Sequence, residues 1–315
     1  MIKQNKFNIL VVGLGNIGSR YIQGLLGARN FEFIFHIVEP SYQNYTKSLK
    51  TINFEQQNKH IAKHIQLDEL EKKYDFIFIT TSAAPRAKII IDIASRTKAN
   101  FWIIEKNLAQ SLHQLQSIED VLKYEQVWVN MPRRVSPFYT KLKEQIIDRQ
   151  KTSAELISAN LDLGCNAIHF IDIFSWLNSS KLKNIEVSAK SGWFQAKRIG
   201  YYEFMGKLDC HYDNGSNLII DNTKNDLHDK YEIRAEKDIY ILEENKGIYV
   251  NEKFMPEKNL MQSEIMEGII CRIIENKDKC GLPTLQEALH EHILFFNAIL
   301  RNKLLETSDG ILKIT

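Results

Sequence analysis

The segment Phe7-Asn8-Ile9-Leu10-Val11-Val12-Gly13-Leu14-Gly15-Asn16-Ile17-Gly18 decides how the chain is read. Its first half is an apolar run of strand length, its second half a G-x-G-x-x-G turn, and from Asn16 onward apolar residues recur at three and four, as on a helix. A strand, a glycine turn and a helix start in that order form a dinucleotide cradle. Gly13 permits the tight turn, Gly15 lets the backbone approach a pyrophosphate, and Gly18 lets the helix pack closely, with the amides of its first turn, at Asn16 and Ile17, facing the phosphates. A second apolar run, Phe31 to Val38, ends in Glu39, about twenty residues beyond Gly18. A carboxylate there accepts hydrogen bonds from both ribose hydroxyls and repels a 2′-phosphate. No Arg follows it directly, which predicts NAD rather than NADP as cofactor. Taken singly, the glycines would pass for an ordinary loop and Glu39 for a solvated strand end; the agreement of strand, turn, helix and acid argues for the cradle.

Length and composition fit this reading. At 315 residues the chain is long for one core and predicts two domains, and 44% hydrophobic with 25% charged residues is ordinary for a globular protein. A net charge of +2 without a basic tract argues against nucleic acid as a partner. The longest apolar runs are strand-sized, so no membrane span is expected, and Met1 to Lys6 lacks the apolar core of a signal peptide. The four cysteines, Cys165, Cys210, Cys271 and Cys280, form no C-x-x-C pair, which argues against a zinc site or a disulfide framework and for a cytoplasmic protein with reduced thiols.

From residue 7 to about 130, apolar strands alternate with helical stretches, the mark of a doubly wound parallel sheet. The strands are Phe7 to Val12, Phe31 to Val38, Phe76 to Thr80, Phe101 to Ile104 and Val127 to Asn130; the helices include Asn16 to Leu26, Arg86 to Arg96 and Leu112 to Tyr124. After residue 150 a helix from about Cys165 to Leu177 is followed by short extended segments: Ile185 to Ala189, Glu203 to His211, Asn217 to Ile220, Tyr231 to Ala235, Ile239 to Glu243 and Gly247 to Val250. Turn residues such as Asp213-Asn214-Gly215 separate them, which predicts a largely antiparallel sheet open on one face. Helices over Leu260 to Asn276 and Thr284 to Asn302 close the chain. The fold class is therefore α/β: a domain over residues 1–130 and an α+β domain over 131–315, with the boundary in the region Pro132 to Ser153 and the last helix able to pack back on the first domain.

In an open parallel sheet ligands bind at the carboxyl ends of the strands. Thr80-Thr81-Ser82 offers small hydroxyl residues where backbone passes near a dinucleotide; loop and helix-capping chemistry explains them equally well. Glu105-Lys106 follows a strand directly. Lys106 there can orient a substrate hydroxyl and Glu105 can hold it or the nicotinamide ribose, although alone the pair reads as a surface salt bridge. Asn166, His169 and Asp172 lie three apart on one helix, where His169 suits proton transfer and Asp172 could orient it. In isolation His169 reads equally as a core histidine. His60 and His64 have the i, i+4 spacing of helical metal ligands, but their neighbours read as a solvated face; His290 and His292 flank Glu291 on different faces of the last helix. No metal site is expected.

In their order and spacing these stations resemble the glucose-fructose oxidoreductase, inositol dehydrogenase and MocA (Gfo/Idh/MocA) family of NAD(P)-dependent oxidoreductases. The resemblance spans nearly the whole chain and rests on Gly13 to Gly18, Thr80 to Ser82, Glu105-Lys106-Asn107-Leu108-Ala109 in place of E-K-P-x-A, Arg133-Arg134 before Pro137, the His169 and Asp172 spacing, and Leu282-Pro283-Thr284 before the last helix. It implies a Rossmann domain, an open antiparallel sheet serving homodimer or homotetramer contacts, Lys106 and His169 at the substrate, and nicotinamide between the domains. Two positions depart from the pattern. Many members carry Asp where Cys165 stands here, and Asn107 replaces the proline of E-K-P. The stretch Trp193 to Gly206 is similar to a branch found with surface-sugar biosynthesis; its Lys197-Arg198 beside Tyr201-Tyr202 suits an anionic sugar or sugar nucleotide, or equally an exposed subunit contact. With Arg134, Asn166, Lys106 and His169, these cations complete the expected substrate set. The implied activity is hydride transfer to or from a secondary hydroxyl or ketone of a sugar, sugar acid or sugar nucleotide. The Cys165 departure keeps two alternatives open: a non-redox nucleotide- or sugar-binding regulator, and an NAD-retaining lyase or epimerase.

Overall fold

Strands that are predominantly apolar can be covered on both faces, and here they are. In the computed structural model, which describes residues 6–56, 59–146, 151–224, 230–276 and 280–315, the elements begin with β1 (Lys6–Val12), α1 (Asn16–Leu25), β2 (Glu32–Val38), α2 (Tyr42–Thr51), β3 (Ile61–His64) and β4 (Lys73–Ile79). They continue with α3 (Ala83–Arg96), β5 (Lys98–Glu105), α4 (Leu112–Leu122), β6 (Val127–Asn130), α5 (Pro137–Ile146), β7 (Thr152–Ile157), α6 (Leu163–Asn178) and β8 (Leu182–Ala189). Then come β9 (Phe194–Gln195), β10 (Tyr202–Glu203), β11 (Gly206–Tyr212), β12 (Asn217–Asp221), β13 (Lys230–Ala235), β14 (Asp238–Glu243), β15 (Gly247–Val250), β16 (Lys253–Pro256), α7 (Gln262–Asn276) and α8 (Leu285–Leu300). The chain forms two compact units, one of residues up to 109, 113–132 and 261–285, the other of residues 110–112, 133–260 and 286–315. The reading of residues 1–5 as lacking a signal core lies outside the described residues, as does the part of the proposed boundary at 147–150.

In the first unit six parallel strands run in the order β3-β2-β1-β4-β5-β6. The order reverses between β1 and β4, which is where such a sheet opens a crevice at its carboxyl edge. The carboxyl halves of β1, β4 and β5 form the core: Ile9 to Val11, Ile77 to Ile79 and Ile103 to Ile104 are fully buried. Helix α7 returns to this unit and lies against α1 so closely that a Cβ on Gly24 would sit 2.7 Å from Met266 Cβ. Residues 286–315, and so nearly all of α8, belong to the second unit.

In the second unit eight strands run β16-β15-β14-β13-β7-β12-β11-β8, every neighbouring pair antiparallel except β7 with β12. Burial alternates along β11, with Leu208 and Cys210 inside and Lys207, Asp209 and His211 half-exposed, as for a sheet covered on one face. The other face carries an ion-pair ladder of Lys230 with Glu155 and Glu232, and Arg234 with Glu232.

The central strand β7 starts where the expected boundary region, Pro132 to Ser153, ends, and is not among the expected strands. Its short alternation, Thr152 to Ile157, is given its place by partners far along the chain. The segment Glu203 to His211, expected as one strand, breaks at Phe204-Met205: Tyr202–Glu203 pairs with β9, and β11 joins the large sheet. The His60 and His64 spacing lies not on a helix but on the extended chain at β3, where residues four apart are roughly 13 Å distant. His60 stacks on Phe33 and its Nδ1 accepts the Phe33 N–H, while His64 Nε2 bonds the Glu39 carbonyl. Among the described residues no group of three His, Cys, Asp or Glu could hold a metal ion, and no helix is long and apolar enough to cross a membrane.

Candidate active site

The first unit gathers Gly13 to Gly18, Glu39, Thr80 to Ser82 and Glu105-Lys106 at the carboxyl ends of β1, β2, β4 and β5. The glycines divide the work by geometry. Gly13 takes φ +91°, which favours glycine, and a Cβ on Gly18 would lie 2.2 Å from the Gly13 carbonyl oxygen and 2.7 Å from Thr80 Oγ1, so only glycine lets α1 start against β1 and β4. At Gly15 a Cβ would meet nothing within 4 Å. Open space therefore faces the backbone where a pyrophosphate would approach, with exposed Gly15, Asn16 and Ile17 at the helix start. These residues fit a dinucleotide.

Glu39 is half-buried at the end of β2. Its Oε2 accepts the Leu14 N–H at 2.9 Å and its Oε1 the Ser41 N–H at 3.2 Å, so the acid that would hold a ribose also ties β2 to the glycine turn. Thr80 donates its hydroxyl to the carbonyls of Val12 and Gly13, bracing the turn from β4. Thr81 packs its methyl against Gly13, and Ser82 is the N-cap residue of α3 without a side-chain capping bond.

Glu105 is not a surface partner. It is 6% exposed, accepts the Tyr21 hydroxyl at 2.5 Å and Asn130 Nδ2 at 2.6 Å, and Asn130 also donates to Gln262. Burial pushes its pKa up, opposed by the bonds from Tyr21 and Asn130 and by the nearby Arg86. Lys106 follows, half-buried, and its peptide to Asn107 is cis. Arg86, 2% exposed, donates to the Asn107 and Thr81 carbonyls and so joins the loops after β4 and β5. Sequence reasoning missed Tyr21, Arg86 and Asn130, whose roles depend on partners distant in the chain.

In the second unit α6 carries Cys165, Asn166 and His169, all half-buried, near its start. The carboxylate of Glu203 accepts the N–H groups of Gly164 and Cys165, anchoring this end of the helix. Three-residue steps drift by about 60° around a helix, which carries Asp172 out of the half-exposed stripe and into the core. Asp172 is fully buried, and Arg134, expected at the substrate, binds it through two nitrogens at 2.6 and 3.1 Å and Glu287 at 3.2 Å. Burial raises the Asp172 pKa to about 6 against the pull of Arg134. The pair is therefore a core brace between α6 and the segment before α5. Arg133 bonds Glu244 and lies over the Phe170 ring. Lys197 and Arg198 sit exposed on the turn between β9 and β10, with Arg198 Nη1 3.4 Å from Thr315 Oγ1.

The model of a family described as an oxidoreductase family with an NAD-binding Rossmann fold matches residues 7–131. No curated protein matches the chain in sequence. Among solved structures, an oxidoreductase from Thermotoga maritima is similar at 13% identity, covering 95% of this chain and 97% of its own, with a TM-score of 0.71. The UDP-N-acetylglucosamine 3-dehydrogenase of Acidithiobacillus ferrooxidans is similar at 11% identity, 96% and 99% coverage and a TM-score of 0.71. The myo-inositol dehydrogenase of Lactobacillus casei, solved with NAD(H) and myo-inositol, is similar at 15% identity, 96% and 94% coverage and a TM-score of 0.65. At these identities the likeness establishes the fold along nearly the whole chain.

Proposed function

We propose that the chain, whose residues 7–131 match the model of an oxidoreductase family with an NAD-binding Rossmann fold, is a Gfo/Idh/MocA-type NAD-dependent dehydrogenase or reductase of a secondary hydroxyl or ketone on a sugar, sugar acid or sugar nucleotide, in surface-polysaccharide or related sugar biosynthesis. The observation that carries the NAD preference is Glu39, fixed on the Leu14 N–H at the rim of the glycine turn, where its charge opposes a 2′-phosphate. NAD, when bound, supplies the acceptor or donor of hydride. Lys106 polarises the substrate oxygen, and His169 takes or gives its proton. Asn166, on the same stripe of α6 as His169, orients the substrate. Asp172 and Arg134 act at one remove, by fixing the helix that carries both. Lys197 and Arg198 contact an anionic part of the substrate. Similarity to a UDP-N-acetylglucosamine 3-dehydrogenase and to a myo-inositol dehydrogenase solved with myo-inositol supports the substrate class. The protein would work in the cytoplasm as a homodimer or homotetramer joined through the outer face of its second sheet.

Fluorescence titration with NADH and NADPH tests the cofactor reading. NADH is expected to bind at least about tenfold more tightly. Equal affinities would remove Glu39 from the argument, and binding of neither would favour the non-redox alternative. Lys106→Met should lower turnover by about a hundredfold or more without changing NADH affinity, and unchanged turnover would remove Lys106 from the reaction.

A further inference from the structure

The second unit holds a cavity of about 440 Å³ at the carboxyl end of α6. It is lined from α5 by Lys143, from α6 by Ser175 and Trp176, from the start of β8 by Lys181, and from α8 by Glu291. His169 lies two turns earlier on α6, roughly 10 Å along the axis, and does not line it.

Three features of the wall point to one ligand chemistry. Glu291 is 3% exposed; its Oε1 accepts the Ser175 hydroxyl at 2.5 Å, while Oε2, buried as well, has no hydrogen-bond partner among the described residues. Burial and the neighbouring Asp172 charge push its pKa well up, which favours the protonated acid, a hydrogen-bond donor. Lys143 donates to the Trp176 carbonyl and lies 4.1 Å from the centre of its indole ring, yet makes no ion pair with any described residue. Lys181, exposed at the rim, makes none either. Arg134 has Asp172 and Glu287 as counter-ions, and Glu287 brings the opposing charge to the rim. The cavity thus offers two ammonium groups without carboxylate partners and an acid hydroxyl without an acceptor, and an oxyanion satisfies all three.

We propose that this cavity binds a small organic anion, a carboxylate or phosphate ester of about monosaccharide size, held by Lys143 and Lys181 with Glu291 Oε2 as a hydrogen-bond donor. The site is separate from the proposed catalytic residues and does not depend on the oxidoreductase reading.

Calorimetric titration of the full-length protein with gluconate, glucose 6-phosphate and the neutral polyol sorbitol tests it. At least one of the two anions should bind once per chain and sorbitol should not. Lys143→Met and Lys181→Met should each weaken that binding about tenfold, the loss of one charge-assisted bond. Lys106→Met and His169→Ala, both outside the cavity, should leave it unchanged. Gluconate alone would identify a carboxylate ligand, glucose 6-phosphate alone a phosphate ester. The proposal is overturned if neither anion binds, if sorbitol binds as well as they do, or if the Lys181→Met chain, altered only at an exposed side chain, binds as the parent does.

Discussion

Glu105 in the first unit and Glu291 in the second are both buried carboxyl groups, and they are provided for in opposite ways. Glu105 receives hydrogen bonds from Tyr21 and Asn130 and lies near the Arg86 guanidinium; every one of these lowers a pKa that burial raises. Glu291 receives one bond, from Ser175, and has the Asp172 charge beside it, which adds to the effect of burial. The first arrangement fixes a fully bonded carboxyl group where the chain turns into Lys106. The second leaves a group whose protonated form is favoured and which has an unused bonding site. A buried acid that is fully bonded serves as a brace, whereas a half-bonded one responds to pH and ligand.

The contrast can be broken most severely at Asp172, the charge that Glu291 feels. Asp172→Asn leaves the buried Arg134 guanidinium with only Glu287 as a counter-ion and should cost about 3–5 kcal/mol of stability by urea unfolding; a loss below about 1 kcal/mol would show that Arg134 finds compensation elsewhere. Glu291→Gln sharpens the contrast through pH. Folded Glu291 retains a proton that the unfolded chain releases near pH 4.5, so parent stability is greatest below that pH and falls by about 1.4 kcal/mol per unit as pH rises toward the folded pKa. Glutamine does not titrate. The variant should therefore gain on the parent steadily with pH, and a flat difference between about pH 5 and 8 would show Glu291 ionising in the folded protein as it does unfolded. The smallest effect is expected at Glu105. Tyr21→Phe removes one of its two hydrogen-bond donors and should cost about 1 kcal/mol, with turnover reduced and NADH affinity unchanged; loss of NADH affinity instead would place Tyr21 in cofactor binding rather than in positioning Lys106.

Much of the fold was legible because its signals are local. The runs at Phe7 to Val12, Phe31 to Val38 and Val127 to Asn130 are predominantly apolar, as strands covered on both sides tend to be, and the glycine turn declares itself within six residues. Elements set by distant partners were not legible. Ile61–His64 alternates exposed and half-buried residues at the edge of its sheet, α2 is mostly polar, and Thr152–Ile157 carries a short pattern that any loop could show. The site divides along the same line. Lys106 and His169 stand out by residue type and position, but Glu105 reads as a surface acid until Tyr21, 84 residues earlier, is brought against it. Arg134 reads as a substrate-binding group and Asp172 as a residue orienting His169, and only the fold shows that they pair with one another. Glu203 reads as the first residue of a strand, and nothing local marks it as the anchor of α6.

The position of β7 in the middle of its sheet has a consequence for how the chain is made. Ser153 leaves the ribosome well before Asn217 and Arg234, the residues between which it will lie. Until β12 is made the strand has two open edges, and until β13 follows it still has one, so the hairpin arms to either side of it have nothing to join them. A nascent chain, or a fragment cut between β12 and β13, would present one of those edges to any other strand nearby, so the second half of this protein is most exposed to mispairing during its own synthesis.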